Sequence, residues 1–151
     1  MESEFNKRFY IQDLSREDKV KNNQIKLKKD ADKEFIKTSS NLKDMKRVLR
    51  LMSNTNPDRM TEDQIENALY ELKGSNPKKF VRIATDKNLE LKAEIEEMVT
   101  AGVLRKIGNQ IIFIDEVLGD IMDDAVVHLK DKKNSGKLTI LRAKLKELSL
   151  V

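Results

Sequence analysis

The chain has no cysteine, no tryptophan and a single histidine, and these absences remove whole classes of chemistry. Without cysteine there is no disulfide framework and no thiol nucleophile, and nothing about compartment follows. With His128 as the only histidine, a zinc site of Cys and His ligands is excluded. No GxSxG, P-loop or dinucleotide-type glycine pattern occurs. His128 sits among Val126, Val127 and Leu129, so it reads as a structural or surface histidine rather than a general base. Long apolar runs are also missing. The longest is Ile111–Ile114, far short of the roughly 20 residues of a membrane span. The opening MESEFNKRFY lacks the basic-then-apolar signal pattern, so the expectation is a soluble protein made in the cytoplasm and kept there, or packaged from it.

Charge is what the chain has in abundance. Charged residues make up 37%, against roughly 25% in an average soluble protein, and only 38% are hydrophobic. A core is affordable only if part of the chain stays outside it, as one compact domain with an appendage. The net charge of +4 is unevenly spread. Residues 1–50 carry 14 Lys/Arg against 9 Asp/Glu, whereas the remaining 101 carry 16 against 17. The basic excess therefore belongs to the first third.

That first third, residues 1–40, shows no persistent 3.6-residue stripe. Ile25 and Leu27 alternate with polar neighbours as in one edge strand. The segment reads as a basic arm, extended or ordered only on a partner, with Phe5, Phe9, Tyr10 and Ile11 as anchors. The bland alternative is a disordered basic tail. Residues 41–59 hold a helix over Asn41–Met52, with Leu42, Met45, Leu49 and Met52 on one face, and then a loop.

Residues 60–114 carry the clearest pattern. Thr61-Glu62-Asp63-Gln64 fits a capping box, and Ile65, Ala68, Leu69 and Leu72 form the face of a helix stopping at Gly74. Pro77 suits a first helical position, with Phe80, Val81, Ile83 and Ala84 inward. Leu91, Ile95, Met98 and Val99 mark a third helix over Asn88–Ala101, ended by Gly102 in a left-handed conformation. Val103-Leu104 and Ile111–Ile114 flank Gly108-Asn109, a tight hairpin turn. Three helices and a hairpin make the winged-helix order, which places Ile95 deep in a core with Leu69, Phe80 and Phe113. Residues 115–151 then form an acidic turn (Asp115–Asp120) and a C-terminal helical pair, Ile121–Leu129 and Lys137–Leu148. Leu138, Leu141, Leu145 and Leu148 share one face, free to pack on the domain or on a second copy. The fold class is thus mainly α with a small β-hairpin: a winged-helix-like centre, an extended N-terminal arm and C-terminal helices.

A winged helix serves duplex DNA and protein contacts alike. The nucleic-acid candidates are Lys26, Lys28, Lys29 and Lys33 on the arm, Lys92 on the third helix, and Arg105 and Lys106 on the wing. Against Lys92 stand Glu90, Glu94, Glu96 and Glu97, which a phosphate backbone would repel. A protein-packing role for the domain is therefore favoured. Asp115, Glu116, Asp120, Asp123 and Asp124 form the densest acidic cluster, but their spacing does not match the twelve-residue calcium loop. An acidic cap on the helix at Ile121 explains them more simply, and no metal or cofactor is expected.

Residues 76–148 resemble small virion-associated or poorly characterised proteins of tailed bacteriophages, crAss-like phages among them. The likeness rests on NPKKF (Asn76–Phe80), LELKAEIEEMVTAGVLRKIGN (Leu89–Asn109), Gly119, HLKD (His128–Asp131) and LRAKLKEL (Leu141–Leu148). It covers about half the chain and departs after HLKD, where KKNSGK replaces a proline-containing DPxNQ. The resemblance implies a non-enzymatic structural or assembly protein of the virion, made in the host cytoplasm. It implies contact with other virion proteins or copies of itself through Phe5, Phe9, Tyr10, Ile11, Leu138, Leu141 and Leu145. A winged-helix DNA-binding regulator is the alternative function, and nonspecific DNA contact the alternative use of the arm.

Overall fold

The computed structural model describes residues 2–53 and 55–149, with side chains described from 16 to 148. Within that range the protein is mainly α, with seven α-helices and one small antiparallel sheet.

The segment expected as an extended arm is instead one helix, α1 (Glu2–Ser39), and it includes Ile25 and Leu27. It holds no glycine or proline and is rich in Lys, which costs little in a helix. At about 1.5 Å per residue it is roughly 57 Å long. Among its described side chains only those of the last turns pack. Leu27, Ala31, Phe35 and Thr38 recur every three or four residues, and Ala31 and Thr38 are buried. The stripe escapes a hydrophobicity reading because two of its members are small or polar. From Arg16 to Asp30 every residue but Leu27 is exposed.

Two cores follow. The first joins the end of α1 to α2 (Leu42–Met52), α3 (Glu62–Ser75) and α4 (Pro77–Ala84) around Met45, Leu49, Ile65, Leu69 and Phe80. Its helices are capped as their sequences dictate. Asn41 accepts a hydrogen bond from the Lys43 amide at 2.9 Å, and Thr61 and Gln64 form the full capping box. Asn76 ends α3 and caps α4, accepting from the Lys79 amide at 3.2 Å, with Pro77 at the first position. Val48 takes the buried place on α2 expected for Leu42, which stays exposed.

The second core is built from α5 (Leu89–Ala101), the sheet, α6 (Met122–Lys130) and α7 (Ser135–Ser149). Gly102 ends α5 with φ +86°, and the Val103 amide returns to the Met98 carbonyl at 2.9 Å. Strands β1 (Arg105–Ile107) and β2 (Gln110–Phe113) form the expected hairpin, two residues further on for the first strand. Gly108 takes the positive φ of +63° required at the first turn position. The acidic turn expected at Asp115–Asp120 contains a third strand, β3 (Glu116–Gly119), so the sheet runs β1-β2-β3. The β2–β3 turn is made by Ile114 and Asp115, and Ile114 holds φ +57°, an unusual place for a β-branched side chain.

Helix α5 stands between the cores. Leu91, Ile95 and Met98 face the second, while Leu89 packs on the first. The buried Ala93 also lies on α5, which packs on α2. The helix–helix–helix–hairpin order is as expected, but its members do not share one interior. Ile95 is fully buried with Leu104, Ile111, Leu129 and Leu141, and Phe113 packs on that group; Leu69 and Phe80 belong to the other core. The reason is that α1 and α2 fill the place beside α3 and α4, so α5 lies on α2 and turns its Leu91–Ile95–Met98 stripe to the C-terminal helices.

Candidate functional site

The positions proposed for function fare differently. The side chains of Phe5, Phe9, Tyr10 and Ile11 lie outside the described residues. The leucine face of α7 is internal: Leu141 is fully buried, and Leu138 and Leu145 pack against the second core. Little of that face is left for a partner, because α5 and α6 pack against it. Leu148, one turn further, remains about half exposed.

The cations proposed for DNA on the central module are already engaged. Lys92 lies 2.5 Å from Asp86 and 2.8 Å from Asp123, Arg105 donates to the Ile114 carbonyl at 2.7 Å, and Lys106 meets Glu96 at 3.1 Å. Three of the four carboxylates of α5 are also paired, Glu96 with Lys106 as above. Glu90 faces Arg47 of α2 at 3.5 Å and Glu94 faces Arg142 of α7 at 3.0 Å. A helix flanked by α2, α6 and α7, with most of its charges tied to its neighbours, is poorly placed to enter a groove. Lys26, Lys28, Lys29 and Lys33 differ: they are exposed on α1, and no ion pair involves them among the described residues.

The tightest polar cluster is Asp86–Lys92–Asp123, which ties the α4–α5 loop and α5 to the first turn of α6. Burial pushes the Asp86 carboxyl up, but the Lys92 hydrogen bond, the Asn88 amide and two nearby ammonium charges outweigh it and hold it below its ordinary value. Burial likewise pushes Lys92 down, while its bonds to Asp123 and Asp86 hold it above its ordinary value. Asp86 therefore stabilises the fold above about pH 4, and that contribution fades as acid titrates its lowered folded value. Lys92 does so below about pH 10, with the loss as pH rises through its raised folded value. Asp86→Asn should lower stability at pH 7 by about 1–2 kcal/mol, the scale of a charged hydrogen bond. Acid unfolding of both proteins should then converge towards pH 2. A gap that stays constant from pH 7 to pH 2 would show that Lys92 does not need the charge.

A second cluster joins β3, α6 and α7. Lys137 lies 2.6 Å from Glu116 and 3.0 Å from the Nε2 of His128. The Lys137 hydrogen bond holds the Glu116 carboxyl below its usual range. The one ammonium of Lys137 thus ties β3 and the ring of His128 on α6 to α7. Among the described residues no group of His, Asp and Glu is placed to hold a metal ion, and no helix is long and apolar enough to cross a membrane.

One feature had no counterpart in the sequence reading. Where the β1–β2 ladder opens, the end of α7 stands over it and leaves a groove of about 460 Å³ lined by Val103, Phe113, Ile114 and Leu148. The only signal for it in the sequence is Leu148, one residue too many for the buried leucine face. Comparison with protein-family models, with characterised proteins and with solved structures finds no match to this chain.

Proposed function

We propose that this chain is a non-enzymatic structural or assembly protein of a tailed-phage virion, binding protein partners through its projecting N-terminal helix. The observation that carries the reading is the long stretch of α1 without tertiary cover. Residues 16–30 are solvated on nearly every side, while the same helix is anchored through Ala31, Phe35 and Thr38. Phe35 stacks edge-on with Tyr70 at 5.7 Å and packs on Phe80 at 6.4 Å, which fixes the direction in which the helix leaves the body. A charged helix with so little burial gains most when a partner covers it. The phage setting rests on the resemblance of residues 76–148 and on nothing in the geometry.

Removing residues 2–25 should leave the body folded, with a melting temperature within a few degrees of wild type, because among the described side chains of α1 packing begins at Leu27. A cut at residue 40 would take Ala31 and Phe35 from the first core and is the wrong variant. Mass spectrometry of purified particles should detect the full chain and not the truncated one. Equal incorporation of both would refute the role of the helix; absence of both would refute the virion setting.

The second reading, nonspecific DNA contact, is favoured only by uncommitted lysines of α1, Lys26, Lys28, Lys29 and Lys33 among them. Replacing Lys26, Lys28, Lys29 and Lys33 together with Gln separates the two readings, since it flattens the salt dependence of any duplex binding and leaves the apolar side chains in place.

A further inference from the structure

We infer that the groove between the open end of the hairpin and the last turns of α7 is a docking site for an acidic peptide segment carrying bulky apolar side chains. Three independent observations meet there. The walls Val103, Phe113, Ile114 and Leu148 are apolar, and Ile114 and Leu148 are 63% and 49% exposed, so the groove is lined yet uncovered. Its rim carries Arg105 and Lys144 against a single carboxylate, Glu147, which favours a negatively charged occupant. Lys144 is held 5.1 Å above the Phe113 ring, poised over the apolar floor.

The third observation is backbone strain. Ile114 holds φ +57° in an exposed two-residue turn, where Asn or Gly would rest without penalty. The Arg105 guanidinium, 2.7 Å from the Ile114 carbonyl, clamps that conformation and keeps further N–H donors for an incoming carboxylate. Strain of this kind persists where the surroundings enforce it, and here it presents a large aliphatic side chain to solvent at a groove wall. The site lies on the second core and does not depend on what α1 binds.

The test uses the full chain, isotopically labelled for amide NMR, and an N-acetylated, C-amidated hexapeptide of sequence DDLFDD. Saturable shifts are expected at the Val103, Phe113 and Ile114 amides, with Kd below about 1 mM. Peptides KKLFKK and DDAADD should show no saturable binding; equal binding of either overturns the proposal, since charge and apolar contact are both required. Lys144→Glu is a solvent-facing change and should weaken DDLFDD at least about tenfold. Ile114→Asn relieves the backbone and should fold well, yet weaken the peptide by a similar factor. Unchanged affinity in both variants overturns the site. A variant ending at Ser149 should bind as wild type does; affinity rising tenfold or more would mean that the chain's own last residues occupy the groove. Sedimentation showing a dimer that Lys144→Glu abolishes would assign the groove to a second copy instead.

Discussion

Gly119→Ala should destabilise the protein by about 3 kcal/mol or more, beyond the usual cost of one added methyl group. A Cβ at that position would lie 2.3 Å from the Ala125 backbone nitrogen and 2.8 Å from the Asp124 carbonyl carbon. Both are backbone atoms, so no side-chain rotation makes room. The N-terminal turn of α6 would have to lift from β3, and α6 brings Ala125, Val126 and Leu129 into the second core. Gly74→Ala is the matched control. It sits inside α3 with nothing within 4 Å of an added Cβ, so it should stabilise by about 0.5–1 kcal/mol through helix propensity. Denaturant titration of the pair should give opposite signs. A Gly119→Ala protein within about 0.5 kcal/mol of wild type would mean that α6 does not seat on β3 as described.

Ile95→Ala and Phe80→Ala should each cost heavily, about 2–5 and 3–5 kcal/mol, because both side chains are fully buried. The informative measurement is their coupling. Ile95 packs with Leu104, Ile111 and Leu141, and Phe80 with Met45, Ile65 and Leu69, with no member in common. The milder pair Ile95→Val and Phe80→Leu keeps the double variant folded, and its stability change should equal the sum of the singles within about 0.5 kcal/mol. A single winged-helix interior places the two residues in one cluster, where couplings of about 0.5–3 kcal/mol are usual. An interaction of that size would merge the two cores into one.

The two expectations rest on facts that differ in how visible they are from the chain alone. Helix ends were legible because they are local: Asn41, the Thr61–Gln64 box, Pro77 after Asn76 and the left-handed Gly102 each satisfy backbone groups within a few residues. The burial of Ile95 was legible too, since its stripe repeats at helical spacing. What it packs against was not. Periodicity names the apolar face and says nothing of which element covers it. Likewise α1 was hidden because its packed stripe uses Ala31 and Thr38, and β3 because its strand holds only two apolar residues and follows a turn closed by isoleucine.

By itself, then, the sequence determined the mainly helical class, the caps, the hairpin turn at Gly108 and the uneven charge, all matters of neighbouring residues and composition. Tertiary structure alone decided that α1 and α2 take the partners expected for α5, and that α7 turns its leucines inward. It alone decided that Lys92 and Lys106 pair with Asp86, Asp123 and Glu96, and that Arg105 donates to the Ile114 carbonyl. Those outcomes depend on which of several similar apolar faces meet and on which opposite charges that meeting brings within about 4 Å, and no spacing along the chain encodes either.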